Sequence, residues 1–151
     1  MAPVLPKPRN EMTEEDWKAI TPENQARGGM IVFNKYKQFL LVKDSKTGKW
    51  SFPKGVVDEC DKDNTFNTAV RECKEETSLE LNKDYTMKSY TPMVFYETNY
   101  YYIAQLMRDI NVKELKTDEE VSDVAWFDAK KVRSNWATVN AGVRQFTKMT
   151  A

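Results

Sequence analysis

Three glutamates and an arginine fall within a six-residue span: Arg71, Glu72, Glu75 and Glu76. Upstream, Phe66, Ala69, Val70 and Cys73 recur at i, i+3, i+4 and i+7, which predicts a helix over Thr65 to Thr77 with one apolar face. At about 100° per residue, Glu75 and Glu76 lie within roughly 60° on either side of Glu72, clear of the apolar stripe. Three carboxylates then crowd one face near the helix C-terminus. The helix dipole disfavours negative charge there, and like charges at i and i+4 repel. Arg71 and Lys74 offset this in part. A multivalent cation would relieve the rest, and Mg²⁺ suits such a set because it is hard, oxygen-seeking and keeps several waters.

Composition narrows the chemistry. The chain has 151 residues and no histidine. Ser-His-Asp triads, Cys-His dyads and histidine metal sites are therefore excluded. Cys60 and Cys73 are the only cysteines, too few for a structural zinc site without histidine. Acid-base or metal chemistry falls to carboxylates, Lys, Arg or Tyr. Twenty-three basic and twenty-three acidic residues cancel, which argues against broad nonspecific binding to nucleic acid. A hydrophobic fraction of 40% is that of a globular chain long enough to bury a core. No apolar run approaches the roughly 20 residues of a membrane span, and no secretory signal is visible. The expectation is an intracellular, cytoplasmic protein, with the nucleus not separable.

The elements that must position these residues follow from the pattern. Residues 1–26 read as an N-terminal arm, loose over Met1 to Asn10, with a short helix over Thr13 to Ile20 around Trp17. Met30 to Phe33 and Phe39 to Val42 read as a β-hairpin. Trp50-Ser51-Phe52 alternates and is stopped by Pro53. Thr86 to Tyr96 and Asn99 to Leu106 read as two strands, and Val121 to Phe127 as another. Asp128 caps a short helix through Val132, and Trp136, Val139, Val143 and Phe146 mark a last amphipathic helix. Strands and helices mix without regular βαβ alternation, which predicts an α+β or α/β sandwich.

The segment from Gly55 through Arg71-Glu72-Cys73-Lys74-Glu75-Glu76-Thr77-Ser78-Leu79 resembles the Nudix box. That pattern runs G, five residues, E, seven residues, then R-E-U-x-E-E-x-G-U, with U aliphatic. Cys73 stands at the first aliphatic place and Leu79 at the last. Two departures stand out. The stretch from Gly55 to Arg71 is two residues longer than the pattern, so the loop acid that would brace Arg71 is Asp61 or Asp63. Ser78 replaces the glycine that often turns the chain at a helix end.

The resemblance implies a Nudix domain over residues 27–151, an α/β/α sandwich with a mixed β-sheet. It implies Mg²⁺- or Mn²⁺-dependent hydrolysis of a phosphoanhydride in a nucleoside diphosphate linked to another group. Glu72, Glu75 and Glu76 would be metal ligands, and Gly55, Arg71 and Asp63 structural residues of the motif. The general base would be Glu76 or a downstream loop acid. Glu120 is the loop choice, because Glu120 to Phe127 is similar to the E-I-x-x-I-x-W-F strand of mRNA-decapping members; Asp118 and Glu119 stand nearby. Pro53-Lys54-Gly55 is like the P-K-G of decapping and diadenosine-polyphosphate-hydrolysing members, and places Lys54 beside the phosphates. Tyr96, Tyr100, Tyr101 and Tyr102, with Trp17 and Trp50, offer aromatic surface on which a base could stack, Tyr100 and Tyr102 foremost. Lys35, Lys37, Lys43, Lys46 and Lys49 form a basic stretch. Substrates so implied are capped mRNA or a dinucleoside polyphosphate, with diphosphoinositol polyphosphates behind them. A silent nucleotide-binding module is the reading from another class. Oligomeric state is not legible.

Overall fold

The computed structural model of the chain describes residues 25–150 and, before them, Glu11, Thr13 and Glu14. The helix expected from Thr13 to Ile20 lies, apart from Thr13 and Glu14, outside the described residues, as does Trp17. Eight strands and three α-helices follow in the order β1 (Arg27–Phe33), β2 (Phe39–Asp44), β3 (Trp50–Ser51), β4 (Lys54–Val56), α1 (Thr65–Thr77), β5 (Tyr85–Met87), β6 (Met93–Phe95), β7 (Asn99–Leu106), β8 (Val121–Phe127), α2 (Ala129–Ser134) and α3 (Ala141–Thr150).

The sheet is mixed. β1 runs parallel to β7, and the remaining pairs are antiparallel. Alternation along the strands sends side chains into two cores. Met30, Val32, Leu40, Val42, Tyr102 and Ala104 meet Ala69 and Cys73 of α1. Ile31, Phe39, Leu41 and Tyr101 meet Val132, Val143 and Phe146 of α2 and α3. Because both faces are covered, the runs Met30 to Phe33 and Phe39 to Val42 are apolar throughout.

The β1–β2 hairpin opens beyond its tip. Asn34 holds the turn by accepting the N–H groups of Tyr36 and Gln38 on its side-chain oxygen. Only Phe33 and Phe39 are paired. Further along, β3 pairs with β2 while β4 pairs with β1, so the Trp50–Val56 segment crosses from one strand to the other. β8 closes the outer side of β2. This divergence makes the cleft.

Two expected elements differ. The strand expected over Thr86 to Tyr96 is divided into β5 and β6, both lying along β7, with bends at Lys88, Tyr90 and Thr91. Pro92 has no N–H to offer the ladder, which explains the interruption. The expected last helix is divided as well. Trp136–Thr138 forms a 3₁₀ turn, Val139 bridges to Trp50, and α3 begins after Asn140, whose side chain accepts the Val143 N–H. An asparagine at that place favours starting a new helix over continuing an old one.

Candidate functional site

Helix α1 starts where expected because Asn64 caps it, its side-chain oxygen accepting from Phe66 N–H and Asn67 N–H. It ends at Ser78, which adopts φ 66° and returns its N–H to the Lys74 carbonyl. Two glycines let this helix lie close on the strands. A Cβ on Gly28 would strike the Thr65 carbonyl, and a Cβ on Gly55 would strike the Glu72 carboxylate. Gly55 therefore makes room for a charged group against β4.

Arg71 is the hub of one side. Its Nε donates to Asp61 Oδ1 at 2.8 Å and its Nη2 to Asp61 Oδ2 at 2.9 Å, a two-pronged grip. The same Nη2 reaches the Val56 carbonyl at 3.2 Å, while Nη1 meets Glu72 at 2.9 Å and Glu75 at 3.3 Å. Asp61 also accepts from Asp58 N–H and the Thr68 hydroxyl. Burial pushes the Asp61 carboxyl up, but the hydrogen bonds from Arg71, Asp58 and Thr68 outweigh it and hold the group below its ordinary value. Of the two loop acids open from sequence, Asp61 is the one in this grip. Asp63, two residues on, sits in the left-handed region at φ 62°. The expectation placing Asp63 as the structural acid is corrected to Asp61, whose position in a capping box with Asp58 aims it at the helix.

The other side is less settled. Glu76 is 6% exposed and accepts the Lys54 N–H at 3.1 Å. Burial, then the charge of Glu72, pushes its carboxyl up to about 9. Glu72 is 9% exposed, and burial, with the charges of Glu75 and Glu120, carries it to about 7 against the pull of Arg71. Glu75 is half-exposed on Arg71. These donors are all carboxyl oxygens, and burial and crowding make the charged form of two of them costly without a cation. That is the donor chemistry a hard divalent cation takes. Among the described residues, however, no three acidic or sulfur groups converge as a ready-made metal cluster, since Arg71 draws Glu72 and Glu75 toward itself.

Glu76 faces a cavity of about 180 Å³, lined also by Lys54, Arg27, Asp44, Ser51 and Glu120. Burial lowers the Lys54 ammonium, with the Arg27 charge adding to the effect. Glu120 lines the same cavity, one residue before β8. Its N–H donates to Asp118, and its carbonyl accepts from Ser45 N–H. Lys54, Glu76 and Glu120, distant in sequence, thus share one cleft.

The tyrosines do not. Tyr102 is buried in the α1-side core, its hydroxyl 2.8 Å from that of Thr65 and its ring packed on Phe66. Tyr100 packs against the same core. Strand parity puts residues 100 and 102 on the α1 face, so Tyr102 is corrected from a stacking residue to a core residue. Trp50 packs on Phe127 with Lys43 6.0 Å from its ring, and Lys35 pairs with Asp109. Arg27 was not found from sequence. Its cue was a cation directly before Gly28-Gly29, but its relation to Lys54 exists only through strand pairing.

The sequence model of the NUDIX domain matches residues 23–148. The chain belongs to the Nudix family. Members of this family are typically enzymes. This Nudix domain is 32% identical over 101 residues to mRNA-decapping enzyme subunit 2 of Arabidopsis thaliana, covering 66% of this chain and 26% of that protein. It is 27% identical over 108 residues to the Saccharomyces cerevisiae m7GpppN-mRNA hydrolase, covering 70% of this chain and 11% of that protein. The chain therefore spans about a quarter or less of these relatives' lengths. A C. elegans Ap4A hydrolase binary complex superposes with a TM-score of 0.66 at 21% identity, over 82% of this chain and 93% of that one. The Nudix fold, a mixed sheet flanked by helices, is thereby shown. Among the described residues no helix is long and apolar enough to cross a membrane.

Proposed function

We propose that this Nudix domain hydrolyses a phosphoanhydride bond in a nucleoside diphosphate linked to a second group. The observation that carries the reading is the convergence of Glu76, Lys54 and Glu120 on one cleft. Glu72, Glu75 and Glu76 would hold Mg²⁺ or Mn²⁺, Glu75 turning from Arg71 to do so. A bound dication would neutralise the diphosphate and lower the pKa of the attacking water. The chain's own residues do the rest. Lys54 N–H fixes the Glu76 carboxylate, and the Lys54 ammonium meets phosphate oxygens. Glu120 takes the water's proton as its oxygen bonds to phosphorus. The anhydride P–O bond breaks, and the leaving phosphate keeps the electron pair. Catalysis is then mostly positioning and electrostatics.

The substrate is capped mRNA or a dinucleoside polyphosphate. Likeness to the Arabidopsis and yeast decapping proteins supports the first, and the extent of overlap with the C. elegans structure supports the second. Product analysis with Mg²⁺ on cap-labelled RNA, diadenosine polyphosphates, diphosphoinositol polyphosphate and nucleotide sugars tests this. Release of m7GDP from long RNA but not from free cap establishes decapping. Preferential cleavage of free dinucleotides establishes the other. Turnover of none of the panel, with binding intact, overturns the hydrolase reading in favour of a silent binding module.

A further inference from the structure

We propose that Ser45 is a positioning residue for Glu120: from the loop after β2 it ties both peptide groups that flank Glu120, and so holds that carboxylate at the cleft. The inference rests on Glu120 being the base of the proposed reaction and adds to it the residue that aims it.

Glu120 has little else to aim it. It is exposed, and among the described residues its carboxylate has neither a hydrogen-bond nor an ion-pair partner. Its backbone therefore sets its direction. A Cα–Cβ bond is fixed once the planar peptide groups on either side of it are fixed. Ser45 holds both. Its Oγ donates to the Glu119 carbonyl at 3.1 Å, and its N–H to the Glu120 carbonyl at 2.9 Å. Those carbonyls belong to the peptide groups before and after the Glu120 Cα. The Glu120 N–H, in the first of them, donates to Asp118 Oδ1 at 3.1 Å. Among the described residues, the hydrogen bonds that reach residues 117–120 from elsewhere in the chain both come from Ser45.

An irregularity in the strands brings the two loops together. β2 and β8 stay in register from Phe39 and Phe127 to Lys43 and Asp123; then Asp44 pairs with Val121, and no residue of β2 stands opposite Ser122. This β-bulge reverses the alternation of β8, so that Val121 and Val124, three residues apart, both enter the α1-side core. The start of β8 is thereby turned toward the cleft, where Val121 and Glu120 line the cavity with Glu76. Ser45 closes the seam just past the bulge. Its own loop is firm enough to anchor another. Asp44 Oδ1 accepts the N–H groups of Lys46 and Thr47, both at 2.8 Å, and the Asp44 N–H and carbonyl bond to Lys49 and Gly48. Ser45 is itself exposed, so loss of its hydroxyl should spare the fold. A misplaced base, by contrast, costs rate out of proportion to the bond that held it.

Backbone amide relaxation, measured by NMR on the full chain, tests the tie. Ser45→Ala should loosen Glu119 and Glu120 and leave α1 unchanged; Ser45→Thr, which keeps a hydroxyl, should not loosen them. Turnover with Mg²⁺ is then measured on whichever of cap-labelled RNA and diadenosine polyphosphate is cleaved. Ser45→Ala should lower kcat about tenfold and leave KM within about twofold, and Ser45→Thr should restore kcat. In a Glu120→Gln background Ser45→Ala should lower kcat no further, because a residue acting through Glu120 has nothing left to aim. Ser134→Ala, which removes another exposed hydroxyl, should change none of these. Unchanged relaxation in Ser45→Ala overturns the proposal. So does unchanged kcat in Ser45→Ala where Glu120→Gln is inactive, and so does an equal fall with and without the Glu120 carboxylate, the mark of a merely structural residue. Loosening in Ser45→Ala alongside full turnover in Glu120→Gln would uphold the tie and overturn Glu120 as the base instead.

Discussion

Arg71 on helix α1 stands between the loop acid Asp61 and the helix acids Glu72 and Glu76, and the two sides treat charge in opposite ways. At Asp61 every anionic oxygen is answered: Arg71, Asp58 N–H and Thr68 hold the carboxyl below its ordinary value despite its burial. At Glu76, one backbone N–H answers a buried carboxyl, which is pushed up to about 9. Helix α1 thus takes part in a finished ion pair with the loop before it and carries an unfinished site of its own. A finished pair holds a loop in place. An unfinished one is unfavourable for the empty protein and favourable to a cation that completes it. The contrast separates the residues that brace the fold from those proposed for the chemistry.

Removing an acid from the unfinished side should cost function and spare the fold. Glu76→Gln is expected to lower turnover by about 10²–10³-fold or more, by loss of a charge that acts in the transition state. Its melting temperature without metal should equal or exceed that of the wild type. A destabilised Glu76→Gln with normal turnover per folded molecule would reverse the assignment of the two sides.

The finished side should respond the other way. Arg71→Ala leaves Asp61 buried and unpaired, and breaking such a pair costs about 3 kcal/mol. Denaturant titration checks the loss. If Arg71→Ala is as stable as the wild type, the brace is dispensable and the contrast fails.

The pH dependence sharpens the comparison further. The unfolded chain releases the Glu72 and Glu76 protons near 4.5, while the folded chain holds them to about 7 and about 9. Between those limits the folded state binds more protons, so the stability of the metal-free protein should fall as pH rises from about 4.5 to about 9. Saturating Mg²⁺ should flatten that fall. Asp61 has the opposite sign: its contribution is present above the unfolded value of 3.8 and is lost as pH drops through its lowered folded value. Urea unfolding in EDTA and in Mg²⁺ across this range measures both limbs. A metal-free stability that climbs toward pH 9 would contradict the picture of the cleft.

The smallest effect expected is at the helix end. Ser78 holds a left-handed φ of 66° that glycine adopts freely, though its hydroxyl also accepts the Lys116 N–H. Ser78→Gly should therefore stabilise by about 0.5–1 kcal/mol, with turnover unchanged. Destabilisation would mean that the bond to Lys116 outweighs the backbone strain.

What could be read in advance depended on whether the signal was local. The bounds of α1, Thr65–Thr77, follow from its apolar period and from Asn64, and β8 follows from its own composition. The box carboxylates were legible because a helix fixes the angle between neighbours. The division of β5 from β6 and the late start of α3 turned on Pro92 and Asn140, single residues that outweigh the periodicity around them. Asp61 was one of two acids until the Asp58 capping box aimed it. Tyr102 and Arg27 were misplaced or missed because their surroundings are set by the parity and pairing of strands distant in sequence.

In the proposed function, the unfinished carboxylates of α1 take a divalent cation. Binding of Mn²⁺ followed by electron paramagnetic resonance, in wild type and Glu76→Gln side by side, tests it most directly. Saturable binding is expected, and Glu76→Gln should weaken it at least tenfold while the protein stays folded. Absence of saturable binding in the wild type, or binding that Glu76→Gln leaves unchanged, would contradict it.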